Sequence, residues 1–400
     1  MVKLSERVKT IKPSATLKID AKAKQLKKEG VDVVSFGAGE PDFDTPEYIK
    51  LAAIESIKKG ETKYTPASGI LELKEAIVEK LKKDNNLNYK VENILISCGA
   101  KHSIYNVIQA LVDKDDEVII FSPYWVSYPE QIKLASGEIV VCPTEHNDFN
   151  IDFKILKEKI NSKTKLIIIN SPQNPSGCVY ELDTLQKLVE LLLPYEDLYI
   201  ISDEIYEKII FDNLKHISIA QLDERIKKRT IIVNGMSKSF AMTGWRIGYI
   251  ASDKEIIDAI NNLQSHSTSN PTTFCQTASV VALKKENESD EIKKMLKEFS
   301  NRRDIIFNML NNITNFKVYK PKGAFYIFPD ISYYYGRKIN GEIIDSSVKF
   351  CEKLLENKNV AAVPGVEFGC DNFIRLSFAT SIENIKKGVE RIKEFVLNLK

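Results

Sequence analysis

Short runs of isoleucine, valine and leucine recur between residues 93 and 251, and they restrict the possible fold more than any other feature. The runs lie at residues 93–98, 117–121, 166–170, 198–202, 230–234 and 247–251. They are almost continuous in apolar character, which is typical of parallel strands buried on both faces. Several are separated by amphipathic stretches; the segment after Gly99 has helical spacing of its apolar residues Ile104, Val107, Ile108 and Leu111. This alternation predicts an α/β fold with a mainly parallel sheet flanked by helices.

The C-terminal quarter follows a different order. A strongly charged helical stretch at 286–312 precedes short apolar segments at 316–319 and 323–328, a helix at 346–357 and a strand at 373–378. This mixture predicts a smaller α+β domain, against which the first 45 or so residues pack. We therefore expect a large domain of residues 46–300 and a small domain of residues 1–45 and 301–400.

Charge and hydropathy exclude several classes of partner. The formal net charge is 57 − 55 = +2, with basic and acidic residues interleaved, so nucleic acid and anionic membranes are not expected partners. No apolar stretch reaches the roughly 18 residues that span a bilayer. The first residues contain no apolar core of a secretory signal, which favours a cytoplasmic location.

Cysteine and histidine give no sign of a metal site. The six cysteines are far apart and form no CxxC pair, as expected of small apolar side chains in a reducing compartment. The four histidines are scattered and are more typical of structural or surface positions. We expect no bound metal.

Lys238 and Arg246 lie close together after a predicted strand, among the small residues Ser237 and Ser239. A lysine amine can form a Schiff base with an aldehyde when the site suppresses its charge. The arginine fork suits a phosphate, and the serine hydroxyls add donors. Taken alone, the lysine is much more typical of an exposed loop, and the arginine could be a structural one paired with a carboxylate.

Asp203 follows the predicted strand 198–202, where ligand groups are found in open α/β sheets. A carboxylate there can pair with a pyridinium nitrogen, although an aspartate at this position is also a common helix N-cap. Tyr206 can share a face with Asp203 if a helical turn begins there. Asn174 lies in the rigid turn of residues 172–177 and can donate to a ring oxygen, or simply form the turn.

Three further positions could contact a ligand. Gly99, Ala100 and Lys101 join a strand to a helix, where free N–H groups favour an anion. Trp125 could stack on an aromatic ring or belong to the core. Arg375 alternates with apolar residues in a strand, so its charge needs either a carboxylate ligand or a structural acidic partner.

Together these motifs resemble the class I, fold-type I aminotransferases over essentially the whole chain. The matching stretches occur in the family's order and lie at residues 39–46, 63–65, 172–175, 202–206, 237–238, 242–248 and 373–377. The resemblance implies pyridoxal 5′-phosphate as cofactor and a seven-stranded sheet in the large domain. It also implies amino acids and 2-oxo acids as substrates.

The resemblance further implies a role for each matching residue. Lys238 would bind the cofactor and shuttle the proton, Asp203 would pair with the ring nitrogen, and Arg375 with Gly39 would bind the substrate. Asn174 and Tyr206 would hold the ring hydroxyl, and Trp125 would cover the ring. The phosphate end would be surrounded by Gly99, Ala100, Lys101, Ser237 and Arg246. Tyr64 would reach the phosphate of the neighbouring subunit, which requires a homodimer with shared active sites.

Residues 11–16 and 122–129 resemble the bacterial aspartate aminotransferase branch that often accepts prephenate. In that branch Lys12 is linked to prephenate and Lys101 to the distal carboxylate of the substrate. Residues 264–271 contain no arginine that could bind that carboxylate. An aromatic or alanine aminotransferase or a lyase on the same scaffold remains an alternative, as does a non-catalytic regulator, although no DNA-binding module is evident.

Overall fold

The computed structural model describes residues 2–11, 13 and 15–400. In chain order its strands are β1 (Val34–Ser35), β2 (Ile94–Ser97), β3 (Glu117–Ser122), β4 (Glu138–Pro143), β5 (Thr164–Asn170), β6 (Tyr199–Asp203), β7 (Thr230–Gly235), β8 (Gly248–Ala251), β9 (Tyr326–Ile327), β10 (Lys338–Ile339), β11 (Glu342–Ile343), β12 (Val360–Ala361), β13 (Val363–Pro364) and β14 (Ile374–Ser377). The helices are α1 (Glu6–Lys9), α2 (Ala15–Lys28), α3 (Glu47–Lys58), α4 (Leu71–Asn85), α5 (Ala100–Leu111), α6 (Ser127–Leu134), α7 (Phe153–Lys159), α8 (Leu182–Leu192), α9 (Glu224–Lys228), α10 (Lys254–Ser265), α11 (Thr273–Lys285), α12 (Asp290–Asn311), α13 (Ser347–Lys358) and α14 (Ile382–Leu397).

A seven-stranded sheet in the order β2-β8-β7-β6-β5-β3-β4 forms the centre of the molecule. Strands β4, β3, β5, β6 and β7 pair in parallel. Strand β8 is antiparallel to both its neighbours, β2 and β7. The α/β class and the mainly parallel, seven-stranded sheet are therefore confirmed. The edge strand β4 is one that the apolar runs did not single out.

The connection between β7 and β8, residues 236–247, contains the 3-10 turn Thr243–Trp245 and no α-helix. Without a helix to carry the chain across the sheet, β8 returns beside β7 in the antiparallel direction. Because β8 reverses direction, Gly248 pairs with both Gly235 and Ser97, and the ends of β7 and β2 meet. The carboxyl ends of β2, β7, β6, β5 and β3 thus share one edge of the sheet.

Both faces of the sheet are buried, as the continuous apolar runs predicted. Val118 and Ile120 belong to one hydrophobic cluster, whereas Ile119 and Phe121 belong to another, because successive residues of a strand point to opposite faces. Helices α5, α6 and α10 contribute to the first cluster and α7 and α8 to the second. The strands therefore hold their loops on a rigid, two-sided core.

The remaining strands and helices form a mixed assembly. Strands β13, β14 and β9 make a three-stranded antiparallel sheet, and β1 pairs in parallel with β12. Helices α12, α13 and α14 pack with Phe36 of the N-terminal segment in one cluster. The smaller α+β unit is thus observed, while domain boundaries near residues 45 and 300 stay a prediction.

The two short apolar segments of the C-terminal quarter are mostly irregular, and the expected start of the charged helix needs correction. The segment 316–319 contains an isolated bridge between Lys317 and Asp330. Only Tyr326–Ile327 of the segment 323–328 forms a ladder, since the amides of Lys322 and Ala324 bond to loop carbonyls of Gly177 and Ile209. The charged helix begins at Asp290, where the Ser289 side chain accepts from the amide of Ile292, rather than near residue 286.

Within the described residues, no helix is long and apolar enough to cross a membrane.

Candidate active site

A cavity of about 590 Å³ opens at the shared carboxyl edge of the sheet and is large enough for a small-molecule ligand. The three-stranded sheet and the N-terminal segment close its other side. Most of the predicted site residues line it: Gly39, Ala100, Lys101, Trp125, Asn174, Asp203, Tyr206, Ser237, Lys238, Arg246 and Arg375. The sheet topology has brought these residues together from segments far apart in sequence.

Lys238 lies in the cavity on the short connection between β7 and β8. Its Nζ atom donates to the carbonyl oxygen of Gly39 and lies 5.9 Å from the centre of the Tyr206 ring. Desolvation lowers the pKa of Lys238 to about 8. A neutral amine is therefore accessible near neutral pH, as a nucleophile or a proton acceptor requires.

Asp203 is the last residue of β6 and is 4% exposed. Its Oδ2 atom accepts a hydrogen bond of 2.6 Å from the hydroxyl of Tyr128, and its Oδ1 atom accepts from the amide of Ile205 at 3.3 Å. Burial raises its pKa to about 6. The residues after Asp203 form a turn and not a helix, so the N-cap alternative is excluded.

Arg375 reaches the cavity from the opposite side, on β14. Its flanking residues Ile374 and Leu376 are fully buried in the hydrophobic cluster that contains Phe36, which confirms the predicted alternation. The guanidinium donates to the Asn174 side-chain oxygen at 3.1 Å and to the Gly37 carbonyl at 2.9 Å.

Within the part of the chain that the structure describes, the charge of Arg375 has no carboxylate counter-ion. The residue is 2% exposed, and no carboxylate of the described residues lies within 4.0 Å of it. Its Nε atom is buried without a hydrogen-bond partner in that part of the chain. Burial lowers the pKa of Arg375. Since an unpaired buried cation is costly, the structural alternative fails and an anionic ligand fits the site.

Tyr206 and Tyr326 lie between these charged groups. Their hydroxyl oxygens are 2.9 Å apart, and the Tyr326 ring lies 4.5 Å below the Arg375 guanidinium carbon. Asn174 is positioned by its own amide, which donates to the Asn170 side chain at 2.9 Å. These contacts connect the two sides of the cavity.

The end of the cavity near β2 has the features of an anion site. Gly99 has a φ of +88°, and a Cβ atom there would lie 2.5 Å from an Arg246 guanidinium nitrogen. Arg246 donates to the carbonyls of Thr243 and Cys98, and neither bond neutralises its charge. Ala100 begins α5, so free N–H groups point into the same region. Ser237 is buried beside them.

The mouth of the cavity carries Lys101, whose Nζ atom lies 5.0 Å from the centre of the Trp125 ring. Partial burial lowers the pKa of Lys101, and the nearby positive charge of Arg246 lowers it further. Lys24 and Glu40 also line the mouth.

Two predicted residues, Gly99 and Tyr64, are not among those that line this cavity. Gly99 immediately precedes the lining residue Ala100, whereas Tyr64 is 89% exposed. Lys12 lies outside the described residues.

Sequence reasoning missed four contributors: Tyr128, Asn170, Glu40 and Tyr326. Tyr128 had a weak signal, because it follows Trp125 at helical spacing at the start of α6. Glu40 lies in the stretch 39–46, which resembles the family, but the resemblance implied no role for it. Tyr326 had no signal, since only the fold brings β9 to the cavity.

A separate acidic cluster lies behind Asp203. Ligand atoms of Glu204, Glu207 and His216 fall within 4.8 Å of one another. The ammonium of Lys80 already pairs with Glu207, and the Ser202 hydroxyl donates to Glu204. This arrangement is a buried ion-pair network beneath the site, where a lysine supplies the positive charge.

The chain is similar to known proteins over almost its full length. The family model described as aminotransferase class I and II matches residues 31–392. An aspartate aminotransferase of Bacillus sp. (strain YM-2) is 48% identical, covering 98% of this chain and 99% of its own. A probable aspartate/prephenate aminotransferase of Aquifex aeolicus is 46% identical, covering 98% of each. The crystal structure of the Rhizobium meliloti aspartate aminotransferase superposes with a TM-score of 0.95 at 40% identity, covering 100% of both chains.

Proposed function

The chain belongs to the class I and II aminotransferases and is an enzyme of that family, and from this premise we propose that it transfers the amino group between aspartate and 2-oxoglutarate with pyridoxal 5′-phosphate. The observation that carries the proposal is the pairing of a buried amine with an uncompensated buried guanidinium in one cavity. Lys238 can bind the cofactor where the amino group of the substrate reacts, and Arg375 can hold the α-carboxylate of the same substrate.

The residues present fit the cofactor. Asp203 offers a carboxylate for the ring nitrogen, Trp125 a flat surface for the ring, and Asn174 and Tyr206 polar groups for the ring hydroxyl. The positive φ of Gly99, the start of α5 and the charge of Arg246 suit the phosphate. When bound, pyridoxal phosphate supplies an aldehyde for amino-group exchange and a ring that disperses negative charge.

The chain's own residues then perform positioning and proton transfer. The two parallel N–H groups of Arg375 orient the substrate α-carboxylate, and the unpaired Nε supports this role. The amine of Lys238, with its pKa lowered to about 8 by desolvation, accepts the Cα proton and returns it. Its contact with the Gly39 carbonyl keeps the amine within the cavity.

The second carboxylate of an acidic substrate requires another positive group. Residues 264–271 contain no arginine, so we assign this role to Lys101. Prephenate is proposed as an additional amino acceptor, and Lys12 is assigned to its recognition. The names of both relatives support aspartate as a substrate, and the name of the Aquifex aeolicus relative also supports prephenate. The partial desolvation of Lys101 supports a direct contact with an anion.

The proposal includes a homodimer with shared active sites, in the cytoplasm. The 89% exposure of Tyr64 and the exposed apolar residues Leu51 and Ile54 of α3 support a neighbouring subunit. The unpaired thiols of the six cysteines are consistent with a reducing compartment.

The test is the visible spectrum of the purified protein. We expect a yellow band that bleaches with aspartate and returns with 2-oxoglutarate, and we expect Lys238→Ala to bind the cofactor without completing this cycle. A yellow protein that ignores aspartate would overturn the substrate. Failure to take up pyridoxal phosphate would overturn the cofactor as well.

A further inference from the structure

The buried hydroxyl of Tyr128 touches Asp203 and has no role in the reaction described so far. The side chain is 2% exposed, and its oxygen lies 2.6 Å from Asp203 Oδ2. An O–H donor at this distance from a carboxylate makes a strong, charge-assisted hydrogen bond. Such a bond at the end of β6 acts directly on the group that faces the cavity.

The carboxylate of Asp203 is held by two donors from different elements. Tyr128 comes from α6, and the amide of Ile205 comes from the turn after β6. The main-chain carbonyl of Asp203 accepts from the Asn170 side chain at 3.0 Å, which anchors the backbone as well. Among the described residues, Tyr128 is the one hydrogen-bond donor to Oδ2, so it fixes the rotation of the carboxylate plane.

Tyr128 is itself rigidly placed. It lies in the first turn of α6, its amide donates to the Trp125 carbonyl, and its ring meets the Trp125 ring edge to face at 5.4 Å. Trp125 lines the cavity, so one helical turn controls both the ring-covering residue and the donor to Asp203.

The hydrogen bond also acts on the charge of Asp203. Burial raises the pKa of this carboxyl to about 6, and the Tyr128 hydroxyl is the strongest influence in the opposite direction. Burial also raises the pKa of Tyr128, which therefore remains a neutral phenol that donates. Without this donor the carboxyl would hold a proton more tightly.

We propose that Tyr128 is a positioning residue that orients Asp203 and keeps it a carboxylate, so that the shared proton stays on the ring nitrogen of the cofactor. This inference rests on the proposed use of a pyridine-ring cofactor. A protonated ring attracts negative charge from the substrate Cα more strongly than a neutral one. Tyr128 therefore supports the proton transfer carried out by Lys238 without touching the substrate.

The experiment compares Tyr128→Phe with Tyr180→Phe in the holoenzyme. A second, much smaller cavity next to Trp125 is lined by both Tyr128 and Tyr180. Tyr180 is a matched control, since it is also 2% exposed and its hydroxyl has no hydrogen-bond partner within the described part of the chain. The first readout is the pH midpoint of the visible band. In Tyr128→Phe this midpoint should rise by about one unit, because a less protonated ring makes the nitrogen that links Lys238 to the cofactor more basic. In Tyr180→Phe the midpoint should stay unchanged.

Turnover gives a second readout. We expect kcat to fall about 10- to 100-fold in Tyr128→Phe, the worth of one hydrogen bond to a charged group. Pyridoxal phosphate methylated at the ring nitrogen carries a permanent positive charge and needs no proton there. With that analogue the difference between Tyr128→Phe and the wild type should shrink; a loss that stays equally large would identify ordinary structural damage and overturn the proposal.

A third variant removes any dependence on the folding of Tyr128→Phe. Replacing Tyr128 with 3-fluorotyrosine keeps the shape and strengthens the donor, so the pH midpoint should move downward. A midpoint that does not move in this protein would also overturn the proposal. The wild-type response to aspartate is the separate test of the proposed function, and it distinguishes a wrong function from a wrong role for Tyr128.

Discussion

Arg375 illustrates how a single residue can indicate a ligand. A guanidinium that is 2% exposed and has an unpaired Nε atom destabilises the protein unless something anionic binds to it. Sequence alternation predicted its direction but left a structural partner possible. The geometry removes that possibility, so the cost of burial is offset only when a carboxylate arrives.

Arg375→Ala should therefore impair binding much more than folding. We expect KM for every amino-acid substrate to rise by the equivalent of about 2–5 kcal/mol, the usual cost of removing one partner of a buried charge pair. Arg375→Lys should recover only part of this loss, because an ammonium lacks the planar fork. Steady-state kinetics and urea unfolding of both variants provide the measurement. An unchanged KM with lower stability would mean that Arg375 is structural.

Asp203 gives a pH prediction for the cofactor-free protein. Its folded pKa of about 6 lies above the ordinary value of 3.8, so the folded state binds the proton more tightly than the unfolded state. Stability from this group should therefore decrease as pH rises from about 4 to 6 and then stay level. Asp203→Asn removes the ionised group.

The variant Asp203→Asn should be more stable than the wild type at pH 7 by up to about 3 kcal/mol, which follows from a shift of about two pKa units. The advantage should shrink as pH falls from 6 towards 4. Urea unfolding midpoints of the cofactor-free proteins across this range would check it. An advantage that did not depend on pH would show that Asp203 is not strained by ionisation.

At the scale of elements, the edge where β2, β6 and β7 end determines the site. The apolar runs predicted these strands to within one or two residues, because strands buried on both faces leave a clear hydrophobic signature. They could not predict that β8 runs antiparallel, since burial is the same in either direction. That reversal joins Gly248 to Ser97 and so brings the start of α5 beside Lys238.

The remaining parts of the site depend on contacts that no local pattern encodes. Tyr326 reaches Tyr206 only because β9 pairs with β14, and β9, with two residues, is too short for a periodic signal. Conversely, the sequence singled out Asp203 and Arg375 because each combines a strand position with a charge that burial makes costly, and Lys238 because it follows a strand among small residues; all three line the cavity. Chemistry at strand ends was predictable, whereas partners across the cavity were not.

The turn between β2 and α5 gives a prediction at this scale. Gly99→Ala places a side chain at a φ of +88° and pushes against the guanidinium of Arg246. We expect cofactor affinity to fall at least about tenfold, since left-handed strain costs on the order of 1–2 kcal/mol and Arg246 must move. Gly244→Ala is the control, because it lies in the same region with open space around it. Equilibrium dialysis of the cofactor would detect the difference, and equal affinities would exclude a tight phosphate turn.

At the scale of the whole molecule, the proposed homodimer would complete each active site with Tyr64 of the other subunit. The cavity of one chain contains the amine, the acid and the arginine, while Tyr64 projects away at 89% exposure. If each Tyr64 completes the other subunit's site, then Lys238→Ala damages the active site of its own chain, whereas Tyr64→Ala damages the active site of the neighbouring chain.

Mixing two defective proteins therefore tests the shared site directly. Lys238→Ala should be inactive and Tyr64→Ala impaired, because each homodimer lacks the same group in both sites. A hybrid dimer has one site with neither group and one site with both. After subunit exchange, half of the dimers are hybrids, so activity should recover to about a quarter of the wild-type value. Exchange is verified by co-purification through a tag on one variant. Confirmed hybrids without recovered activity would mean that Tyr64 acts on its own chain or on no active site, and the shared-site homodimer would have to be abandoned.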